Sequence, residues 1–236
     1  MTIQSDSVDV KRAWIHLVRQ RTEAVRRYDA VRDGYLFQHS RPDQRDEEDM
    51  TIQSDSVDVK RAWIQTYSGG MFHILDPQQD EILITDIGHS LAMQCRFTGH
   101  VRRFYSVAEH SVLGSRLVSE KDALWFLLHD ASEAYIADIN RPLKHFTGIG
   151  PEYIPVEASI MRAICQKFRL PAEEPPSVKK VDNAMLFAEK EQLLAPMEWD
   201  AKWGDIKPAD VRVRCWSPEV AEVEFLHRFY ELTEQI

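Results

Sequence analysis

Cysteine is scarce and scattered in this chain: three residues, Cys95, Cys165 and Cys215, with no C-x-x-C pair among them. That pattern suggests reduced thiols in a cytoplasmic protein, each with burial as its default role. Long apolar runs are missing as well. The longest, at 123–128, is far too short to cross a bilayer, so no membrane attachment is expected. The first residues, MTIQSDS, lack the basic-then-apolar order of a secretory signal. A basic surplus is absent too. Lys and Arg number 29 against 38 Asp and Glu, giving a formal charge of -9 and arguing against tight binding to long nucleic acid. A small anionic ligand stays compatible, because a few local Arg and Lys can serve it inside an acidic protein. Self-association as a homo-oligomer is left open.

What is present is enough for one sizeable core: 236 residues, 44% of them hydrophobic. Residues 1–15, MTIQSDSVDVKRAWI, recur letter for letter at 50–64. Two identical copies do not make a solenoid, which needs several stacked units, and they point to a recent duplication, a cloning scar or an upstream start. The polar stretch at 39–49 reads as a linker. Residues 1–49 are therefore expected to be an accessory extension, and 50–236 the functional domain. Residues 64–67 and 71–74 flank Ser68-Gly69-Gly70, the pattern of a short β-hairpin. Asp86 is expected to cap a helix over 87–95, and Ser106 to open another in an S-x-x-E capping box. The segment 122–138 reads as one buried central helix ended by Pro142. Further helices are expected over about 152–168, after Pro175-Pro176-Ser177 to about 194, and from Ser217-Pro218 onward. Strand signal is scarce beyond residue 75, so the expected fold is all-α with a small N-terminal hairpin.

The chemistry lies where polar groups interrupt that core. His129-Asp130 sits in the most apolar helical stretch, and a buried carboxylate needs a cation or several donors. Asp182 is flanked at spacings of three and four by Val178, Val181, Met185 and Leu186, which turns it inward. His110 lies among Val107, Val112 and Leu113. One divalent cation at the junction of three helices would satisfy His110, His129, Asp130 and Asp182 together. Such a set suits Zn, Co, Mn, Fe or Mg alike. The bland alternative is a buried Asp130–His110 hydrogen-bond pair without metal.

The segments YSVAEHS (105–111), LLHDASEAYIADINRPLK (127–144) and VDNAMLFAEKE (181–191) resemble the H…HD…D signature of HD-domain phosphohydrolases. The resemblance is nearest to the branch of bacterial 5'-deoxynucleotidases and phage deoxyadenosine triphosphohydrolases, and covers roughly residues 60–230. It implies an HD-domain helical bundle in which His110, His129, Asp130 and Asp182 hold one metal ion. It further implies Glu133 as the proton-transfer carboxylate working with Asp130. Arg96, Phe97, Asp138 and Lys144 would then line the substrate pocket, Arg96 and Lys144 toward phosphate and Asp138 toward the sugar. Phe97 stands where some relatives have Trp, so no base preference is carried over. The expected activity is hydrolysis of deoxynucleotide phosphates, as a 5'-deoxynucleotidase or a triphosphohydrolase. The competing expectation is a non-catalytic HD module that binds metal and nucleotide.

Overall fold

A computed structural model describes residues 62–197, 199 and 206–233. The expected extension at 1–49, and with it the first copy of the repeat, lies outside the described residues. The chain enters through an antiparallel hairpin, β1 (Trp63–Gln65) and β2 (Met71–His73), in which Ile64 pairs with Phe72. Its turn carries Gly69 at φ 88°, a left-handed conformation that glycine adopts without a side-chain penalty. Phe72 is fully buried, and its ring stacks on Tyr135 with centroids 3.7 Å apart.

Eight α-helices follow among the described residues: α1 (Ile84–Met93), α2 (Val107–Ser115), α3 (Glu120–Leu128), α4 (Glu133–Ile136), α5 (Arg141–Phe146), α6 (Gly150–Lys167), α7 (Pro176–Leu193) and α8 (Pro218–Thr233). The described part is thus mostly helical, with the small hairpin at its start. No described helix is long and apolar enough to cross a membrane.

α3 organises the interior because from Ala123 onward it is apolar on every side. Ala123, Leu124, Leu127 and Leu128 pack into one cluster with Phe72, α1, Ile160 and Ile164 of α6 and the Phe225–Phe229 face of α8. Trp125 and Phe126 turn the other way, toward Tyr105, Leu113, Cys165 and Val178 and Met185 of α7. A helix hydrophobic all round is one that is buried all round. α2 reaches α3 closely at Gly114, where an added Cβ would stand 2.0 Å from the Phe126 ring. Only glycine permits that approach, and it brings the end of α3 beside His110.

Three expectations are corrected. The stretch 122–138 is not one helix: α3 stops at Leu128 and α4 restarts at Glu133. Between them the chain tightens, with the amides of His129, Ala131 and Glu133 donating to the carbonyls three residues back, Phe126, Leu128 and Asp130. Pro142 does not merely terminate structure. It sits in the first turn of α5, where its missing N–H costs nothing, behind Asn140, whose side chain accepts from the Leu143 amide. Helix α1 begins at Ile84, so Asp86 is inside it rather than capping it. Its carboxylate instead accepts from the Ser68 amide (2.8 Å) and hydroxyl (2.9 Å), pinning the hairpin turn.

Ser106 caps α2 as expected, its hydroxyl accepting from the Glu109 amide. The reciprocal half of the box is absent. Glu109 accepts from three successive amides, Arg214 (2.6 Å), Cys215 (3.0 Å) and Trp216 (2.6 Å). These belong to an extended strap leading to α8, which also runs along α7 through Ala209 N–H to Ala184 O and through Gln192 to Val211 and Val213.

Candidate metal centre

Three elements converge at the end of α3. α2 contributes His110, fully buried; the turn after α3 contributes His129 and Asp130; α7 contributes Asp182. One ligand atom each from His110, His129 and Asp182 lies within 4.8 Å of the others, a group that can hold a metal ion.

The tautomers sharpen this. A neutral imidazole has one N–H. His129 uses Nδ1 to donate to the Phe126 carbonyl at 2.7 Å, and His110 uses Nδ1 against the Glu189 carboxylate at 2.5 Å. Both Nε2 atoms then face each other across 3.3 Å, with Asp182 Oδ1 at 3.5 Å from one and 3.9 Å from the other. Electron pairs so arranged repel unless a proton or a cation lies between them. The donors present therefore fit a divalent ion, with the second nitrogen of each histidine already oriented by a partner.

Without an ion a proton does the same work. Burial disfavours the charged form of His110, and so does Arg96, but Glu189 and Asp182 outweigh them and push it up to about 9. Burial likewise opposes ionisation of Asp182, yet the bond to His110 and the charges of His129 and Lys179 hold it well below the usual carboxylate range.

Asp130 takes a different place from the other three. Its Oδ2 is 3.1 Å from His129 Nε2 but 4.0 Å from His110 Nε2, and the same oxygen accepts from Arg96 Nη1 at 3.4 Å. The metal-free Asp130–His110 hydrogen bond is therefore not formed. Burial resists its charge, but His129, His110 and Arg96 keep Asp130 strongly acidic.

Glu189 is the residue the sequence reading missed. Fully buried, it accepts from His110, from the Tyr105 hydroxyl (2.8 Å) and from Arg96 Nε (3.2 Å). Burial would raise its carboxyl, and Arg96 and His110 overcome that and hold it low. It lies in the charged run AEKEQ, which reads as a solvated face. Its one legible signal is a spacing of seven from Asp182, two helical turns along the same side of α7.

The expected substrate residues form two groups. Arg96 is only 15% exposed and is held between Glu189 and Asp130, with its guanidinium 5.7 Å from the ring centroid of Phe97. Lys144, 16% exposed, bonds Asp138 at 3.2 Å and Glu157 at 3.0 Å, so two of the expected pocket residues pair with each other. Glu133 is half-buried and lines a cavity of about 890 Å³, largely apolar, walled by Leu75, Ile136, Ile149, Tyr153 and Val156. Burial, then the charges of Asp130 and Asp138, push its carboxyl well above the ordinary value. None of His110, His129, Asp130 and Asp182 lines that cavity, and Glu133 is what relates it to Asp130. His89 stacks on Tyr67 at 3.6 Å and bonds Glu222, away from this network.

Fold and site together define a mainly helical protein with a buried two-histidine, one-carboxylate group competent to hold a metal. No family model matches the chain. It is 42% identical over 172 residues to the uncharacterized protein YfdR of Escherichia coli strain K12, across 72% of this chain and 95% of that one. It is 32% identical to the uncharacterized protein RCAP_rcc00048 of Rhodobacter capsulatus, across 72% of this chain and 94% of the relative. The chain belongs to the family of YfdR.

Proposed function

We propose that the protein is an HD-type, metal-dependent phosphohydrolase acting on deoxynucleotides. The observation that carries the reading is the pair of imidazole Nε2 atoms facing each other at 3.3 Å beside Asp182, each with its other nitrogen already committed. Asp130, 3.1 Å from His129 Nε2, would be the fourth residue to hold the ion. A divalent cation at these residues, whether Zn, Co, Mn, Fe or Mg, would supply Lewis acidity toward phosphate and make a water easier to deprotonate for attack on phosphorus.

The chain's own groups manage the rest. Glu133 would take the proton that the attacking water loses and return one to the oxygen released as the P–O bond breaks, its raised affinity for a proton suiting it to hold one in between. The apolar lining beside it disfavours the charged carboxylate. Arg96 holds Glu189 and Asp130 in register.

The test is a product assay. Metal-loaded protein is expected to release phosphate from dAMP or triphosphate from dATP, and His110→Ala, Asp130→Ala and Asp182→Ala are each expected to abolish turnover with the helical circular dichroism intact. Undiminished hydrolysis by any of these purified variants overturns the mechanism. The second reading, a non-catalytic module binding metal and nucleotide, draws support from the ion pairs that already occupy Arg96 and Lys144. It predicts nucleotide binding with no product over any of these metals.

A further inference from the structure

Three cations act on Asp130, Glu133 and Asp182, and they differ in what holds them. Arg96 lies against the buried Glu189 and against Asp130. Lys144 lies between Asp138 and Glu157. Lys179 of α7 is 52% exposed, and its ammonium bonds Asp182 Oδ2 at 2.9 Å. The two oxygens of Asp182 thus serve different neighbours: Oδ1 faces the histidines and Oδ2 faces Lys179. The spacing explains it, since residues three apart on a helix share a face. Lys179 is therefore separated from the ion position by a single carboxylate group and opens to solvent.

Charge accounting singles out the same residue. Two neutral histidines, Asp130, Asp182 and a divalent ion sum to zero. Arg96 is matched by Glu189, and Lys144 is more than matched by Asp138 and Glu157. Once the ion draws on the charge of Asp182, Lys179 keeps a positive charge, with Glu174 the remaining acidic neighbour acting on it. A pair with one half-exposed lysine holds less energy than a buried one and can exchange for a better anion, whereas prising Arg96 from Glu189 would strand a buried charge.

We propose that Lys179 is the substrate-binding cation of this site, exchanging Asp182 Oδ2 for an anionic oxygen of a phosphate group seated at the metal. The inference rests on the phosphohydrolase reading but is tested apart from turnover, on the full chain loaded with Mn. Calorimetry with inorganic phosphate is expected to show affinity reduced about tenfold or more in Lys179→Gln and largely kept in Lys179→Arg, as for loss of one charge-assisted hydrogen bond. Affinity for Mn alone is expected to change by less than about threefold, in line with an exposed pair. With dAMP as substrate, KM is expected to rise by a factor similar to that for phosphate, with kcat little changed. Unchanged phosphate affinity in Lys179→Gln overturns the proposal, as does absence of phosphate binding by the Mn-loaded parent. An equal loss of Mn affinity also overturns it, since Lys179 would then only position Asp182. If phosphate binding responds as expected while no deoxynucleotide is hydrolysed, the assignment of Lys179 stands and the enzymatic reading falls.

Discussion

The two walls of the candidate metal centre are built on opposite principles. On the inner side, His110, Glu189, Tyr105 and Arg96 form a buried set in which each polar group has a charged or hydroxyl partner. On the outer side, Asp182 meets Lys179, whose side chain is half exposed. Buried networks of this kind are costly to disturb and fix geometry, whereas exposed pairs hold little energy and trade partners. The inner wall therefore sets where the histidine nitrogens point, and the outer wall is free to answer a ligand.

The largest effect is expected from breaking the inner wall. Glu189→Ala leaves Arg96 and the His110 Nδ1–H without their carboxylate. It should cost about 3–5 kcal/mol in chemical denaturation, as for a buried pair losing one member. Metal affinity should fall by about 10- to 100-fold, the usual toll of losing a group that orients a ligand. Glu189→Gln, which keeps the shape and one acceptor, should lose less of both.

Removing the ion probes the same wall by pH. The folded metal-free protein holds His110 at about 9 against an ordinary value of 6.5. A group whose folded value is raised contributes stability in full below the unfolded value and loses it as pH climbs through the folded one. Stability of the metal-free protein should thus decline between pH 6.5 and 9, and His110→Gln should flatten that decline in thermal melts. Saturating metal should flatten it as well, because the ion replaces the proton and is bound more tightly as pH rises.

The smallest effect is expected on the outer wall. Lys179→Gln removes a pair whose lysine is half exposed, and the melting curve should shift by no more than about 0.5 kcal/mol equivalent. A loss approaching that of Glu189→Ala would erase the contrast between the walls.

The same contrast governs what the sequence disclosed. The hairpin, the Ser106 cap and the apolar face of α8 were legible because turn residues, cap chemistry and periodicity are local signals. His110, His129 and Asp182 stood out because imidazole and carboxylate are conspicuous among apolar neighbours. Glu189 did not, since Glu beside Lys and Gln looks like surface until the fold buries it. The break after Leu128 was hidden for a related reason: hydrophobic spacing continues through 129–136 although the backbone tightens there. Arg96 was recognised as part of the site, but its commitment to Glu189, 93 residues away, depends on tertiary pairing alone.

Glu109 adds a consequence for the order of assembly. It immediately precedes His110, yet its carboxylate is met by amides 105 to 107 residues downstream. A chain still being synthesised carries α2 with that acid unmatched until Trp216 has emerged. The pocket is thus completed only once residues 214–216 have been made, and truncation ahead of the strap should weaken metal binding even with His110, His129, Asp130 and Asp182 all present.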